Sequence, residues 1–320
     1  MADLRTTITE VVTGLGMLGF DDVDAALHAR PEAMENVEPS VYDGLQLAWK
    51  ERRHIDLFNA ALINGRAFLA ARDALRHRSP LVVEWKGAHK APGDEVIPAD
   101  LRVDHVYFVS CKYLSRIVVN ASPHHLFDRK LAGGHGKRGG DWFEAMAPAE
   151  HAALYAACVD AVGETDRRTL AKALRESWPP GAAELYAALV AKVADASAAH
   201  WRAAIANDVE AMLWRLLRIG SAPYYVLGAS PRGFLRLRIA TPWDWRRDFE
   251  LRSFEIQPRP GGQAMVGWQA AIRERTTDVE RIVDGHVEIR WSHGRFSGPP
   301  EAKVYLDTPH TEIPGYFPLA

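Results

Sequence analysis

From Val41 through Arg76, apolar residues recur near helical spacing at Leu45, Leu47, Ala48, Ile55, Leu57, Phe58, Ala61, Leu62, Phe68 and Leu69. Residues 1–77 as a whole read as helical. Gly65 interrupts this pattern, which predicts a break or a close packing contact there. After Ser79-Pro80 the period changes. Leu81 to Lys86 is β-prone, residues 88–99 carry Pro92, Gly93 and Pro98 and read as a loop, and Leu101-Arg102-Val103 and Val106 to Lys112 are β-prone again. A tight turn at Asp104-His105 would make 100–112 a hairpin. Arg116 to Asn120 continues in the same manner.

Residues 133–140 hold five glycines in eight positions and predict a mobile loop. The alanine-rich stretch 141–219 has helical spacing, broken at Trp178-Pro179-Pro180-Gly181, and predicts a helical layer packed on a sheet. From Pro223 onward short β-prone runs alternate with turns: Tyr224–Leu227, Phe234–Ala240, Phe249–Pro258, Val266–Arg275, Val287–Trp291 and Lys303–Leu306. The expected fold class is α/β or α+β. It has N-terminal helices, a small mixed central sheet, a helical insertion and a β-rich C-terminal part. The expected division is 1–219 and 220–320.

Composition narrows the class. Of 320 residues, 48% are hydrophobic and 25% charged, which is ordinary for a globular chain. No apolar run approaches a membrane span, and the N-terminal residues carry no signal-like pattern, so no membrane partner is expected and the expected location is the cytoplasm. Two cysteines, Cys111 and Cys158, exclude a disulfide scaffold and a cysteine-rich zinc site. A net charge of −2 provides no global attraction to nucleic acid, so such binding needs a local basic surface. The glycine run lacks the Ser or Thr and the preceding strand of a P-loop.

The densest chemistry lies between 84 and 112, with Glu84, Lys86, Asp94, Glu95, Asp100, Asp104, Ser110 and Lys112. On a strand, residues i and i+2 share a face, so Ser110 and Lys112 project together and an acid on the neighbouring strand can join them. Such a cluster suits phosphodiester hydrolysis: carboxylates hold a hard divalent cation, and a lysine offsets charge in the transition state. Register is the obstacle. A two-residue turn at Asp104-His105 sets Asp100 against Val109, and a bulge or a turn longer by one residue is needed to set it against Ser110. Glu84-Trp85-Lys86 and Glu301-Ala302-Lys303 are the second and third acid-x-lysine candidates.

Pro98-Ala99-Asp100, the β-prone run after it and Ser110-Cys111-Lys112, following a helix and a strand, resemble the PD-(D/E)xK restriction-endonuclease-like nuclease superfamily over residues 45–125. In that family an acid opens one strand and a (D/E)xK triplet lies on the next, and some members carry serine in place of the triplet's acid. The resemblance implies Asp100 or Asp104 as a metal ligand, Lys112 as the catalytic lysine, and Ser110 where the second acid stands, with Glu84 as a substitute carboxylate. It implies a Mg²⁺- or Mn²⁺-dependent endonuclease acting on DNA in restriction or anti-phage defence, with a homodimer or a defence-system protein as partner. The alternative is a catalytically silent nucleic-acid-binding or assembly subunit of the same fold.

Two further features stand beside this core. Asn120 to His125 ends in adjacent histidines that point to different sides, a poor metal pair; His124 is a candidate for phosphate contact or acid–base work. Arg236, Arg238, Arg246, Arg290 and Arg295, interleaved with aromatics, are the candidate nucleic-acid contacts, and Arg236 and Arg238 share a strand face. The competing reading has tryptophans filling a β-core and arginines covering its exterior.

Overall fold

The computed structural model describes residues 3–87, 99–113, 117–133, 140–205, 208–230, 233–259, 261–292 and 294–320. Helices and strands are numbered in chain order. Residues 88–98 of the loop expected over 88–99, with the acids Asp94 and Glu95, and most of the glycine run lie outside the described residues. The class is mixed α and β with two sheets, as the periodicity implies. Among the described residues no helix is long and apolar enough to cross a membrane.

The chain does not divide at one cut near 219. Unit 1 comprises 1–115, 219–247 and 311–320; unit 2 comprises 116–218 and 248–310. The reason is strand pairing: the first two C-terminal β-runs return to the N-terminal sheet, while the others build a second sheet.

Unit 1 opens with a helical segment made of α1 (Leu4–Thr7), a π-helical stretch (Ile8–Val12) and α2 (Thr13–Met17). It continues through α3 (Val23–Ala29), β1 (Met34–Glu35), α4 (Pro39–Lys50) and α5 (Ile55–Ala70). Asp22 caps α3 by accepting the Ala25 N–H at 2.8 Å. Strands β2 (Val83–Trp85), β3 (Leu101–Val103) and β4 (Tyr107–Tyr113) follow. The chain returns after unit 2 with β6 (Tyr224–Ser230), β7 (Gly233–Ile239), α11 (Pro242–Asp248) and β12 (Tyr316–Pro318). The sheet order is β1-β2-β3-β4-β6-β7-β12. β2, β3 and β4 form an antiparallel meander, and β6 then pairs with β4 in parallel.

Gly65 does not break α5. It is the close contact: a Cβ there would lie 2.0 Å from the Thr13 carbonyl oxygen and 2.8 Å from the Gly16 Cα. Two glycines thus let α2 and α5 cross backbone to backbone. The core under the sheet gathers Ile8, Val12 and Leu15 from the first segment, Phe58 and Phe68 from α5, and Val83, Leu101, Val109 and Leu227 from the strands. Phe68, Tyr107 and Tyr225 meet edge to face at 5.0–6.0 Å.

Unit 2 contains β5 (Ile117–Ala121), a π-helical stretch (His125–Leu131), α6 (Trp142–Met146), α7 (Pro148–Val162), α8 (Arg167–Ala173), α9 (Ala182–Ala204) and α10 (Val209–Leu216). Four long-range strands complete it: β8 (Phe249–Arg259), β9 (Ala264–Glu274), β10 (Glu280–Arg290) and β11 (Glu301–Leu306). They form an antiparallel sheet in the order β5-β11-β10-β9-β8. The alanine-rich helices belong here, as the layer expected against a sheet. Trp201 of α9 meets Phe254 at 6.1 Å, and Phe254 stacks on Trp268 at 6.0 Å.

Candidate active site

Alternation along β2, β3 and β4 separates two faces. Val83, Trp85, Leu101, Val103, Val109 and Cys111 are buried toward the helices of unit 1. Glu84, Lys86, Asp100, Arg102, Ser110 and Lys112 take the alternate positions, on the opposite face.

Continued one residue beyond its last pair, Leu101 with Val109, the register brings Asp100 level with Ser110. Leu101 pairs with Val109 and Val103 with Tyr107, so Asp104, His105 and Val106 all lie in the connection. Asp104 and His105 adopt left-handed φ angles of 49° and 57°, and Val106 N–H closes the turn on the Val103 carbonyl at 3.0 Å. Val106 is the additional residue, and it is what moves Asp100 from Val109 to Ser110. Asp100 itself precedes β3: its N–H donates to the Val109 carbonyl at 2.8 Å and its carbonyl accepts from Lys86 N–H at 2.9 Å, and it is its side chain that reaches Ser110.

Side chains complete this row. Ser110, fully buried, donates its hydroxyl to Asp100 Oδ2 at 3.1 Å, and the Cys111 N–H donates to the same oxygen at 2.7 Å. Lys112 Nζ lies 3.9 Å from it. These contacts all fall on Oδ2, which fixes the carboxylate's orientation and leaves Oδ1 outside the set. Lys112 is half exposed, with 48% of its side chain accessible, so its ammonium faces solvent from a buried base.

The second acid-x-lysine candidate belongs to the same face. Lys86 stands beside Asp100 in the sheet, and Glu84 stands opposite Arg102. Glu84 accepts from Lys86 Nζ on Oε1 at 3.0 Å and from Arg102 Nε on Oε2 at 2.7 Å. Burial opposes its charge, but the bonds and charges of Lys86 and Arg102 outweigh burial and hold its pKa below the usual carboxylate value. With Glu35 of β1 in register beside Glu84, the described part of this face carries three cations and three carboxylates.

Asp104 is not part of the cluster. It lies four residues from Asp100 along the hairpin, about 13 Å at strand spacing. Its Oδ1 accepts the N–H groups of Leu81 and Val82 at 2.7 and 3.2 Å, and its Oδ2 pairs with Arg78 at 2.6 Å. Against the pull of burial, those contacts keep its pKa low. Its carboxylate anchors the turn. Cys111 points to the helix side, where burial foremost, with the charges of Asp100 and Glu10, pushes its thiol well above the ordinary value. That excludes it as a thiolate nucleophile.

Among the described residues no three or more His, Cys, Asp or Glu side chains gather as a metal site. The residues nonetheless fit Mg²⁺ or Mn²⁺ sparsely, because Mg²⁺ is commonly held by one or two carboxylates together with water and substrate phosphate. Asp100, buried and oriented through Oδ2, is the carboxylate that would hold it. Glu84 has both oxygens engaged by cations.

The candidate arginines serve the architecture to a large extent. Arg236 and Arg238 share a face of β7, as expected. Arg236 Nε donates to Asn64 Oδ1 at 2.9 Å, and the buried Asn64 donates to the Gly228 carbonyl at 3.0 Å. Arg236 and Arg238 also lie over the Phe234 and Phe317 rings, at 4.4 and 4.8 Å. Arg246 is exposed on α11. In unit 2, Arg290 pairs with Glu288 at 3.0 Å, and Arg295 donates to the Leu174 and Ser177 carbonyls. The third acid-x-lysine candidate is a plain strand pair, with Lys303 and Glu301 3.4 Å apart.

His124 has a partner that its neighbour His125 concealed in the sequence. Its Nδ1 bonds Asp128 Oδ2 at 3.0 Å, and His200 Nε2 bonds Asp128 Oδ1 at 2.7 Å. The i, i+4 spacing of His124 and Asp128 is the signal, and it shows only once that segment is read as helical.

No protein-family model, curated protein or solved structure matches this chain.

Proposed function

We propose that unit 1 is a nuclease that hydrolyses phosphodiester bonds, with DNA the substrate the PD-(D/E)xK resemblance favours. The observation that supports this most is the three-residue turn, which sets Asp100 against Ser110 and beside Lys112. An acid opening one strand and a lysine two residues beyond its cross-strand partner is the arrangement the resemblance requires.

In hydrolysis a water oxygen bonds to phosphorus, the bond to one sugar oxygen breaks, and that oxygen takes a proton. Lys112 meets the phosphate from its exposed end and offsets charge that builds on the phosphoryl oxygens. Ser110 and the Cys111 N–H lock Oδ2, so Oδ1 is presented to the reacting centre in one orientation. Glu84 holds Lys86 and Arg102 in place behind it, and the half-exposed Lys112 is the cation that meets the backbone. A divalent cation held at Asp100 would polarise the phosphoryl oxygen and lower the pKa of its water.

A second reading, a silent nucleic-acid-binding module, is favoured by one observation: serine occupies the second acid's place while Glu84 is neutralised. One experiment separates the two. Labelled single- and double-stranded DNA and RNA are incubated with Mg²⁺, with Mn²⁺ and with chelator, using wild type, Lys112→Ala and Asp100→Ala. The nuclease reading expects metal-dependent products that both substitutions abolish while the circular dichroism spectrum is kept. Binding without products, weakened by Lys112→Ala, gives the silent module. Products unaffected by either substitution would remove both roles from this site.

A further inference from the structure

Unit 2 carries a cleft of about 830 Å³, within the ordinary range for a small-molecule site. Its described lining contains four cations and no carboxylate. Arg168, Lys172 and Arg175 recur at intervals of four and three residues along and just beyond α8, so they form one stripe. All three are exposed; Arg168 interacts electrostatically with Asp166, the N-cap of α8, whereas Lys172 and Arg175 have no ion pair among the described residues. In a chain of net charge −2, a cationic stripe over a cleft lined by no described carboxylate favours an anion there.

The opposite character of the cleft is aromatic. Trp178 and Tyr186 lie 4.7 Å apart, and Tyr186 is stacked with Trp291 at 6.3 Å. The guanidinium of Arg295 sits 3.9 Å from the Trp178 ring, held there by the carbonyls of Leu174 and Ser177. One polar group is fixed among the rings. Tyr186 donates its hydroxyl to Gln263 Oε1 at 2.7 Å, which leaves the Gln263 NH₂ as the donor toward a ligand. Burial pushes the Tyr186 phenol up to about 12, so it remains a donor at neutral pH.

We propose that this cleft binds a nucleotide, its phosphates on the α8 cations and its base against the aromatic wall, with Gln263 reading a base acceptor. Phosphate pairing beside an aromatic wall, whose rings already pack on one another and on Arg295 and so meet a base at their exposed edges, is what distinguishes this ligand class from simple anions. The same chemistry is offered by a free nucleotide and by the end of a single strand.

Titration calorimetry tests this on the full chain with three probes: ATP, a short 5′-phosphorylated single-stranded oligonucleotide, and inorganic phosphate. The expected result is binding of ATP or the oligonucleotide, weakened about tenfold or more in the double variant Lys172→Glu/Arg175→Glu. These side chains are exposed and unpaired, so the fold is retained in that variant. ATP binding without the oligonucleotide identifies a free nucleotide as the source; tighter, strongly salt-dependent oligonucleotide binding identifies a strand end. Gln263→Leu keeps the phosphate contacts and is expected to erase differences among ATP, GTP and CTP. Three results overturn the proposal: no binding of ATP or oligonucleotide up to millimolar concentration, phosphate binding as tight as ATP, or an affinity unchanged in the double variant. The site lies in unit 2, so its failure leaves the Lys112 cleavage test untouched.

Discussion

Replacing Gly65 by alanine sets two effects of similar size against each other. Alanine is a better helix former than glycine by about 1 kcal/mol, and Gly65 lies inside α5. Opposing this, the new Cβ would sit 2.0 Å from the Thr13 carbonyl oxygen and 2.8 Å from the Met17 nitrogen. Both are main-chain atoms of the facing helical segment, so no rotamer change relieves the contact. The helices must part by about 1.4 Å to restore a contact of 3.4 Å, which opens gaps along a close-packed core. Overpacking costs about 1–3 kcal/mol where side chains can adjust, and more where only backbone can move. The expected net loss is at least about 2 kcal/mol. Gly44 supplies the matched control. It lies inside α4, and a Cβ there meets nothing within 4 Å. Gly44→Ala is expected to gain up to about 1 kcal/mol. Urea midpoints of the two variants and wild type measure both. If Gly65→Ala matched or exceeded wild type, the backbone-to-backbone crossing of α2 and α5 would be refuted.

Ser110→Ala removes a buried hydroxyl's bond to a carboxylate, worth about 1.5–3 kcal/mol for a charged acceptor. The urea midpoint should fall accordingly and nuclease activity with it, whereas an unchanged midpoint would deny the Ser110–Asp100 bond. Lys86 and Arg102 hold the Glu84 pKa below the ordinary carboxylate value of 4.5, so its contribution to stability is present above that value and is lost as pH falls through its lower folded pKa. Wild type should therefore lose stability more steeply than Glu84→Gln between neutral pH and pH below 4.5; parallel curves would contradict the ion-paired Glu84. Arg236→Ala strips the partner from the buried Asn64 Oδ1, at about 1–3 kcal/mol. A variant with native stability but weaker DNA binding would instead restore Arg236 as a surface contact.

Period and turn signals located the elements well where packing is local. The strands at 83–85 and 101–103 and the helices of 141–219 fall inside their β-prone or alanine-rich runs, and the strand at 107–113 runs one residue past the run expected over 106–112. Sheet membership was not legible, because β4 pairs with β6 across a whole intervening unit and no local pattern encodes that. The face shared by Ser110 and Lys112 followed from strand alternation. The register did not: it depends on one exposed valine, Val106, and on left-handed angles at Asp104 and His105, a weak turn pair. Glu84-Trp85-Lys86 looked like a rival motif because its pairing with β3 through Lys86 and Asp100 is a tertiary fact. Arg236 looked like a surface cation because its partner, Asn64, lies 172 residues away.

The most direct test of the central claim is single-turnover cleavage of labelled DNA by wild type and Lys112→Ala in Mg²⁺ or Mn²⁺, with both proteins shown to be folded. The account expects products from wild type and a fall of about a hundredfold or more in the variant, the scale on which a transition-state charge contact acts. Equal cleavage by the two proteins would contradict it.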